Sequence, residues 1–395
     1  MSIRDKLSLY RTPAAENTAS RPSLESIGAE TVRAGGCLLW RFTRAYPLPA
    51  PLADYRGKEL LEPYGKFNRL PFIPEPEQLL FFDLETTSLS TGSGSYPFLT
   101  GVGYISEKEF VVEQYFMDDY SAEGAILEKV LPFFRDARAV VCFNGKSFDL
   151  PLIKNRYRLN RVPGFPVDIP TIDLLYPCRR VFRRVHGSCS LSSMEEKVLG
   201  IFRKDDIPGW LIPEVYFSYS RHGELDRLPL VVEHNAQDIY SMLRLLLLLN
   251  DLYASLKRKR FHEFQRQSLH GLVSQLYSVD LTIFLDVMDF LGDEVWTVRP
   301  LFRKYTGALK RTGRTGEALA FWEKNGSPWS LEELAKHYEH RKKDPCRALG
   351  YASRLMDTLG AGGMSLEGLR PGETEAMRAR TVKRIERLNR RAGNS

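Results

Sequence analysis

Hydrophobic and polar positions change texture near residue 77. Before it the chain is irregular: a proline-rich run, YPLPAPLADY, and one short apolar piece, Cys37 to Phe42 (CLLWRF). Residues 1–75 therefore read as a loosely built extension that packs on the domain C-terminal to it. Three strand-like segments come next, QLLFFDL, FLTGVGYIS and EFVVEQYFM, the first two separated by a Gly/Ser-rich turn at Thr91 to Ser95 (TGSGS). A helix is predicted from Ser121, as N-cap, to about Phe134, with Ile126, Leu127, Val130, Leu131 and Phe134 on one face. Pro132 lies inside it and should kink or end it. A further buried strand, AVVCFN, spans Ala139 to Asn144.

The order strand, strand, strand, helix, strand, then helices predicts an α/β domain, a mixed sheet with helices against it. Beyond a basic connector, PCRRVFRRVHG, Ser192 and Ser193 stand three before Glu195 and Glu196, a capping-box pattern for a helix through Leu199. From about Glu233 a leucine-rich helix reaches the 250s, and beyond Phe261 every segment reads as helical. Two segments there echo each other, GEALAFWEK (Gly316 to Lys324) and CRALGYASR (Cys346 to Arg354), a tetratricopeptide-like pattern. The last helix, Ala376 to Ala392, carries seven Lys or Arg against one Glu, either a solvated face or a phosphate contact. The organisation expected is thus an extension over 1–75, a catalytic-type α/β domain over 76–255, and an all-α region over 256–395.

Composition adds limits. With 43% hydrophobic and 27% charged residues the chain has the make-up of an ordinary folded protein. The stretch MSIRDKLSLYRTPAAENTAS has no apolar run of the kind a secretory signal needs, and the longest aliphatic stretch, Leu245 to Leu249, is too short to span a bilayer. A cytoplasmic protein with no membrane partner is expected. The cysteines Cys37, Cys142, Cys178, Cys189 and Cys346 are scattered, which suits a reducing compartment, and Cys178, His186 and Cys189 lack the paired spacing of a zinc site. A net charge of +7 favours an acidic partner such as nucleic acid.

The candidate chemistry lies at the ends of these elements. In FDLET, Asp83 and Glu85 sit i and i+2, so a regular strand points both to one side and Leu84 to the other. Two carboxylates so placed repel unless a cation lies between them, and hard oxygen ligands suit Mg²⁺ or Mn²⁺. After the AVVCFN strand, Phe148 and Asp149 open a helix at a strand-to-helix edge where α/β sites gather. In EHNAQDIYSM, His234 and Asp238 are i and i+4, about 40° apart around a helix, so both can face one site. Each acid alone has an ordinary alternative, a strand end, a helix cap or a solvated position.

Together these segments, with TIDLLYPCRR and CSLSSMEEKVLGIFRKDDIPGWLIPEVYFSY, resemble the YprB-type ribonuclease-H-like domain, a branch of the DEDD exonuclease superfamily, over roughly Leu79 to Leu249. The resemblance implies a ribonuclease-H-like fold in which Asp83, Glu85, Asp149 and Asp238 hold two divalent ions, Mg²⁺ or Mn²⁺. It further implies 3′–5′ hydrolysis of phosphodiester bonds in single-stranded DNA or RNA. His234 would orient the attacking water, but three residues separate it from Asp238, the spacing of the tyrosine subclass, and an imidazole is shorter than a phenol. Thr86, Thr87, Asn144, Lys146 and Phe148 are the substrate contacts expected near the acids. Arg179, Arg180, Arg183 and Arg184, flanking Val181 and Phe182, form an expected strand-tracking element, arginine for phosphate and the ring for stacking. The alternative is a catalytically silent nucleic-acid-binding or scaffold protein with the same fold. The helical region would meet protein or nucleic acid.

Overall fold

The computed structural model describes residues 23–34, 36–54, 57–88, 94–292, 299–360 and 371–392. Most of the TGSGS turn (Thr91, Gly92 and Ser93) lies outside them. The described residues divide into two compact units: those within 1–65, 70–179 and 188–251 form the first, and those within 66–69, 180–187 and 252–395 the second.

The first unit is built on a seven-stranded mixed sheet. Its strands are β1 (Glu30–Ala34), β2 (Cys37–Pro47), β3 (Leu79–Thr86), β4 (Pro97–Ile105), β5 (Glu109–Phe116), β6 (Ala139–Cys142) and β7 (Thr171–Asp173). They lie in the order β1-β2-β5-β4-β3-β6-β7. The first five pair antiparallel, and β6 joins β3 and β7 in parallel. The α/β expectation is met.

Among the described residues, the stretch before residue 75 is not the irregular extension that its texture suggests. β2 pairs with β5 along its length, from Trp40↔Phe116 to Pro47↔Glu109. Its pattern is hard to read because only Leu39 and Phe42 are buried among the eleven residues, while arginines project at Arg41 and Arg44. An antiparallel strand with one wet face, here between β1 and β5, can carry that much charge.

Strand β3 shows why the acids can come directly after an apolar run. Leu80, Phe82 and Leu84 enter the main core, where Phe82 meets Phe134 edge-on at 5.0 Å. Phe134 lies on helix α2 (Glu123–Asp136), the next helix after α1 (Glu62–Asn68). The alternate positions Phe81, Asp83 and Glu85 face the opposite side. Phe81 there meets Phe110 edge-on at 5.2 Å.

Helix α2 begins with a short turn capped by Asp119, whose side chain accepts from the Ser121 amide, so the cap is Asp119 and not Ser121. Pro132 neither ends it nor separates it from the core, since the helix runs on to Asp136 with Phe134 wholly buried. Strand β6 stops at Cys142. Asn144, expected as its last residue, instead adopts a left-handed backbone with φ of 66°, a conformation Asn tolerates better than most residues. The chain then enters α3 (Asp149–Leu159).

The expected basic connector is a helix, α4 (Leu175–His186). A short helix, α5 (Leu191–Met194), is capped by Ser190, whose hydroxyl accepts from the Ser193 amide, rather than by Ser192 or Ser193; a wide turn over Glu195–Leu199 continues it. Next come α6 (Ile212–His222) and the long α7 (Leu228–Lys257), which starts a turn and a half before Glu233. Among the described residues α7 alone is long and apolar enough to cross a membrane, and 67% of that apolar window is buried inside the fold. A core helix passes the same test.

Beyond α7 every described residue in a regular element is helical: α8 (Arg266–Val279), α9 (Leu281–Leu291), α10 (Arg299–Arg311), α11 (Thr315–Asn325), α12 (Pro328–His337), α13 (Pro345–Gly360) and α14 (Pro371–Ala392), with short turns between. The echoing segments fall in α11 and α13. The basic helix α14 is fastened by its cations: Arg384 and Arg387 both bond Glu339, which is 5% exposed, and Arg380 bonds the buried Glu332.

The fold brings α7 onto the sheet at two glycines of β4. A Cβ on Gly101 would overlap Asn235 and Ile239, and one on Gly103 would overlap Ile239 and Phe110. Gly101 is the register partner of Asp83. Replacing Gly101 with alanine should therefore force α7 outward and lower stability by about 1–3 kcal/mol. A chemical denaturation midpoint unchanged from the parent would show that the helix does not need this approach.

Candidate active site

The four candidate acids come from three elements. Asp83 and Glu85 lie on the outward positions of β3, Asp149 opens α3, and Asp238 lies on α7. They share one electrostatic neighbourhood. The carboxyl of Asp83 is held well above the usual range by burial, and then by the charges of Asp149, Asp238 and Glu85. Burial likewise lifts Glu85, with Asp238 and Asp149 adding to the effect and the Arg203 cation opposing it. Asp149 is pushed from its ordinary 3.8 to about 7 by burial, with Asp173 and Asp238 contributing. Such mutual elevation is what crowded, poorly hydrated carboxylates do without an intervening cation.

Neutral donors set the geometry around them. Asn235 Nδ2 donates to Asp83 Oδ2 at 2.7 Å, and Gln114 Nε2 donates to Asn235 Oδ1 at 2.9 Å. Both amides are fully buried, so this relay fixes the strand acid to α7. The turn that delivers Asp149 is shaped by Asp173, at the end of β7. Its carboxylate accepts from the amides of Asn144 (2.8 Å), Lys146 (3.2 Å) and Leu175 (3.1 Å). Gly145 sits inside that turn, where a Cβ would come within 2.8 Å of Asp149 Oδ2.

Asp238 is different, because Arg203 is seated on it. The guanidinium bonds Asp238 Oδ1 through Nη2 and grips Glu195 with Nε at 2.7 Å and Nη2 at 2.8 Å. Glu195, 1% exposed, also accepts from the Ser241 hydroxyl. His234 is adjacent, with Nε2 3.8 Å from Asp238 Oδ2.

The expected substrate contacts divide. Lys146 and Phe148 are exposed beside Asp149, with Phe148 at 45%. Asn144 is half-buried in the same turn. The threonines are occupied locally: Thr86 donates its hydroxyl to the Ser88 carbonyl at 2.6 Å, and the buried Thr87 accepts from the Tyr96 amide at 3.0 Å. In α4, Arg179, Arg183 and Arg184 are exposed, whereas Arg180 bonds Asn68 at 2.5 Å. Phe182 is 9% exposed and Val181 is buried, so that ring is unavailable for base stacking. The helical period, hidden by four arginines in a row of ten, turns the apolar pair inward. Residues 180–187 also belong to the second unit, not to the unit that carries the acids.

The residues that chemistry alone did not single out are Asn235, Arg203, Glu195, Asp173 and Asp206. Asn235 sits inside EHNAQD, whose His234 and Asp238 drew attention, while Arg203 and Asp206 lie in FRKDD, part of a segment that carries the family resemblance.

An open sheet with acids converging from β3, α3 and α7 defines a ribonuclease-H-like protein. A family model described as RNase_H superfamily matches residues 80–250, the stretch that holds all four acids. The chain is also 30% identical over 296 residues to the uncharacterized protein YprB of Bacillus subtilis (strain 168), a match covering 70% of this chain and 69% of that one. The chain therefore belongs to the YprB family within the RNase H superfamily. Membership supports a nuclease-type function and nucleic acid as the partner.

The donor set fits divalent metal: hard carboxylate oxygens in excess of the cations among them. As the side chains stand, no three of the described His, Cys, Asp and Glu are grouped to cage an ion.

The raised Asp149 value makes stability depend on pH. Because the folded-state value of Asp149 is raised to about 7 from 3.8, its contribution favours folding at low pH and is lost as pH rises between those values. Asp149→Asn removes that slope. In EDTA the variant should melt above the parent at about pH 7.5, and the gap should shrink toward about pH 4. A gap that is constant with pH would mean that Asp149 ionises normally in the folded protein.

Proposed function

We propose that the protein is a metal-dependent 3′–5′ exonuclease acting on single-stranded nucleic acid. The observation that carries this reading is the shared neighbourhood of Asp83, Glu85, Asp149 and Asp238, three of them held protonation-prone by burial and mutual repulsion. Polarity and strandedness rest on the family resemblance.

Asp83, Glu85, Asp149 and Asp238 would hold two ions, Mg²⁺ or Mn²⁺. Bound there, such ions supply a water of lowered pKa and stabilise charge on the leaving 3′ oxygen. The chain's own groups do the rest. Asn235 keeps Asp83 in one orientation, and Arg203 does the same for Asp238. His234, one turn before Asp238, accepts the proton of the attacking water through Nε2. Lys146 meets a phosphate and Phe148 offers its exposed ring to a terminal base.

A second reading, a protein that binds nucleic acid without cutting it, is favoured by one feature: Arg203 occupies Asp238 Oδ1 as a built-in cation. The two part on one measurement. With Mn²⁺ or Mg²⁺ the purified protein should shorten an end-labelled single-stranded oligonucleotide one nucleotide at a time. Asp83→Ala and Asp238→Ala should each abolish this while the thermal unfolding stays cooperative. Retention of strands without shortening supports the silent reading, and shortening that survives either substitution removes this site from the chemistry. Running DNA and RNA side by side identifies the substrate class.

A further inference from the structure

Residues 201–208 form an irregular loop between the turn after α5 and the start of α6. The loop is fastened at two points. Arg203 is gripped by the buried Glu195, and Ile207, 3% exposed, enters the core. Between these anchors the loop carries Asp206 to His234, with Oδ1 2.8 Å from Nδ1 of the imidazole. The opposite ring nitrogen, Nε2, is the one near Asp238.

This contact decides which ring nitrogen carries the proton. An ionised carboxylate only accepts, so at 2.8 Å the hydrogen between the two atoms belongs to Nδ1. Arg203 Nη1 lies 3.1 Å from the same nitrogen and 3.6 Å from Asp206 Oδ1. A guanidinium also only donates, so a bare Nδ1 could accept from Arg203; the carboxylate is the nearer partner, and with the proton on Nδ1 the Arg203 charge still serves Asp206 and Asp238 on either side. The reverse tautomer would gain the bond from Arg203 Nη1 but set the Nδ1 lone pair against the nearer carboxylate at 2.8 Å and leave Nε2–H at 3.8 Å from Asp238 Oδ2, too far to bond. In the neutral ring the free lone pair therefore sits on Nε2, on the side of the clustered acids.

We propose that Asp206 is a positioning residue: through Nδ1 it locks the tautomer and orientation of His234, so that Nε2 is the proton acceptor of the hydrolytic site. The role deepens the nuclease reading and rests on it. It also bears on the short spacing between His234 and Asp238. A second carboxylate from a separate loop supplies the orientation that the helix alone does not.

Two measurements on the full chain test it. In the first, protein labelled with ¹⁵N in its histidines is examined by long-range ¹H–¹⁵N correlation at about pH 8.5, where an ordinary imidazole is neutral. His234→Gln identifies the signal. The parent should show Nδ1 protonated and Nε2 bare, and Asp206→Ala should move the proton to Nε2 or to a mixture. A parent ring with its proton on Nε2, alone or together with Nδ1, overturns the proposal.

The second measurement is single-turnover cleavage of a labelled oligonucleotide with Mn²⁺. Asp206→Ala should slow the step roughly 10- to 100-fold while leaving Mn²⁺ affinity and melting temperature in place, and Asp206→Glu should restore part of the rate. Combined with His234→Ala it should slow nothing further. An unchanged rate, or a loss that persists in the His234→Ala background, overturns the proposal. If the parent does not cleave, or Asp83→Ala cleaves as well as the parent, it is the nuclease reading that fails, and the tautomer measurement still decides the role of Asp206.

Discussion

The site depends on one close approach, that of α7 to strand β4 at Gly101. The absent side chain lets Asn235 reach the sheet, and from there its amide reaches Asp83. Only at that separation do an acid on a strand and an acid on a helix share one neighbourhood. A buried amide with its oxygen taken by Gln114 and its nitrogen by Asp83 leaves no slack, because a half-satisfied amide in the interior costs more than an apolar residue would. The core on one face and the acids on the other are set by the same strand, whose two-residue alternation assigns Leu80, Phe82 and Leu84 to packing and Asp83 and Glu85 to chemistry.

Much of this architecture is written locally. The apolar run into Asp83 marks a central strand, the leucine-rich segment around Asp238 marks a long buried helix, and the strand-turn-helix at Asp149 carries its own turn residues. These signals are short-range, and the structure obeys them closely. Strand β2 was hidden because a strand with one wet face alternates arginine with only two buried side chains, and helix α4 because charge masked its period. The caps at Asp119 and Ser190 fell two residues from where a motif reading puts them, since several Ser and Asp residues competed for one helix start.

The supporting groups of the site were illegible for a different reason. Asn235 meets Asp83 from 152 residues away, Arg203 meets Asp238 from 35, and Asp206 meets His234 from 28. No periodicity or spacing encodes those encounters, which exist only once the sheet order and the path of residues 201–208 are known. Conversely, two residues that looked chemical in sequence, Thr86 and Thr87, spend their hydroxyls on the turn after β3. Hydroxyls beside an acidic motif are as useful for closing a turn as for holding a ligand.

Helix α14 changes what the positive balance of the chain means. Glu339 and Glu332, both buried, gather Arg380, Arg384 and Arg387, and Arg378 donates to the Leu359 carbonyl. These cations already have partners within the chain, and a polyanion drawn to this helix would find fewer of them unengaged than the sequence offers. Counting basic residues thus overstates the number of counterions that this helix would release from a nucleic acid, and the ionic-strength dependence of any such association would be shallower than the composition implies.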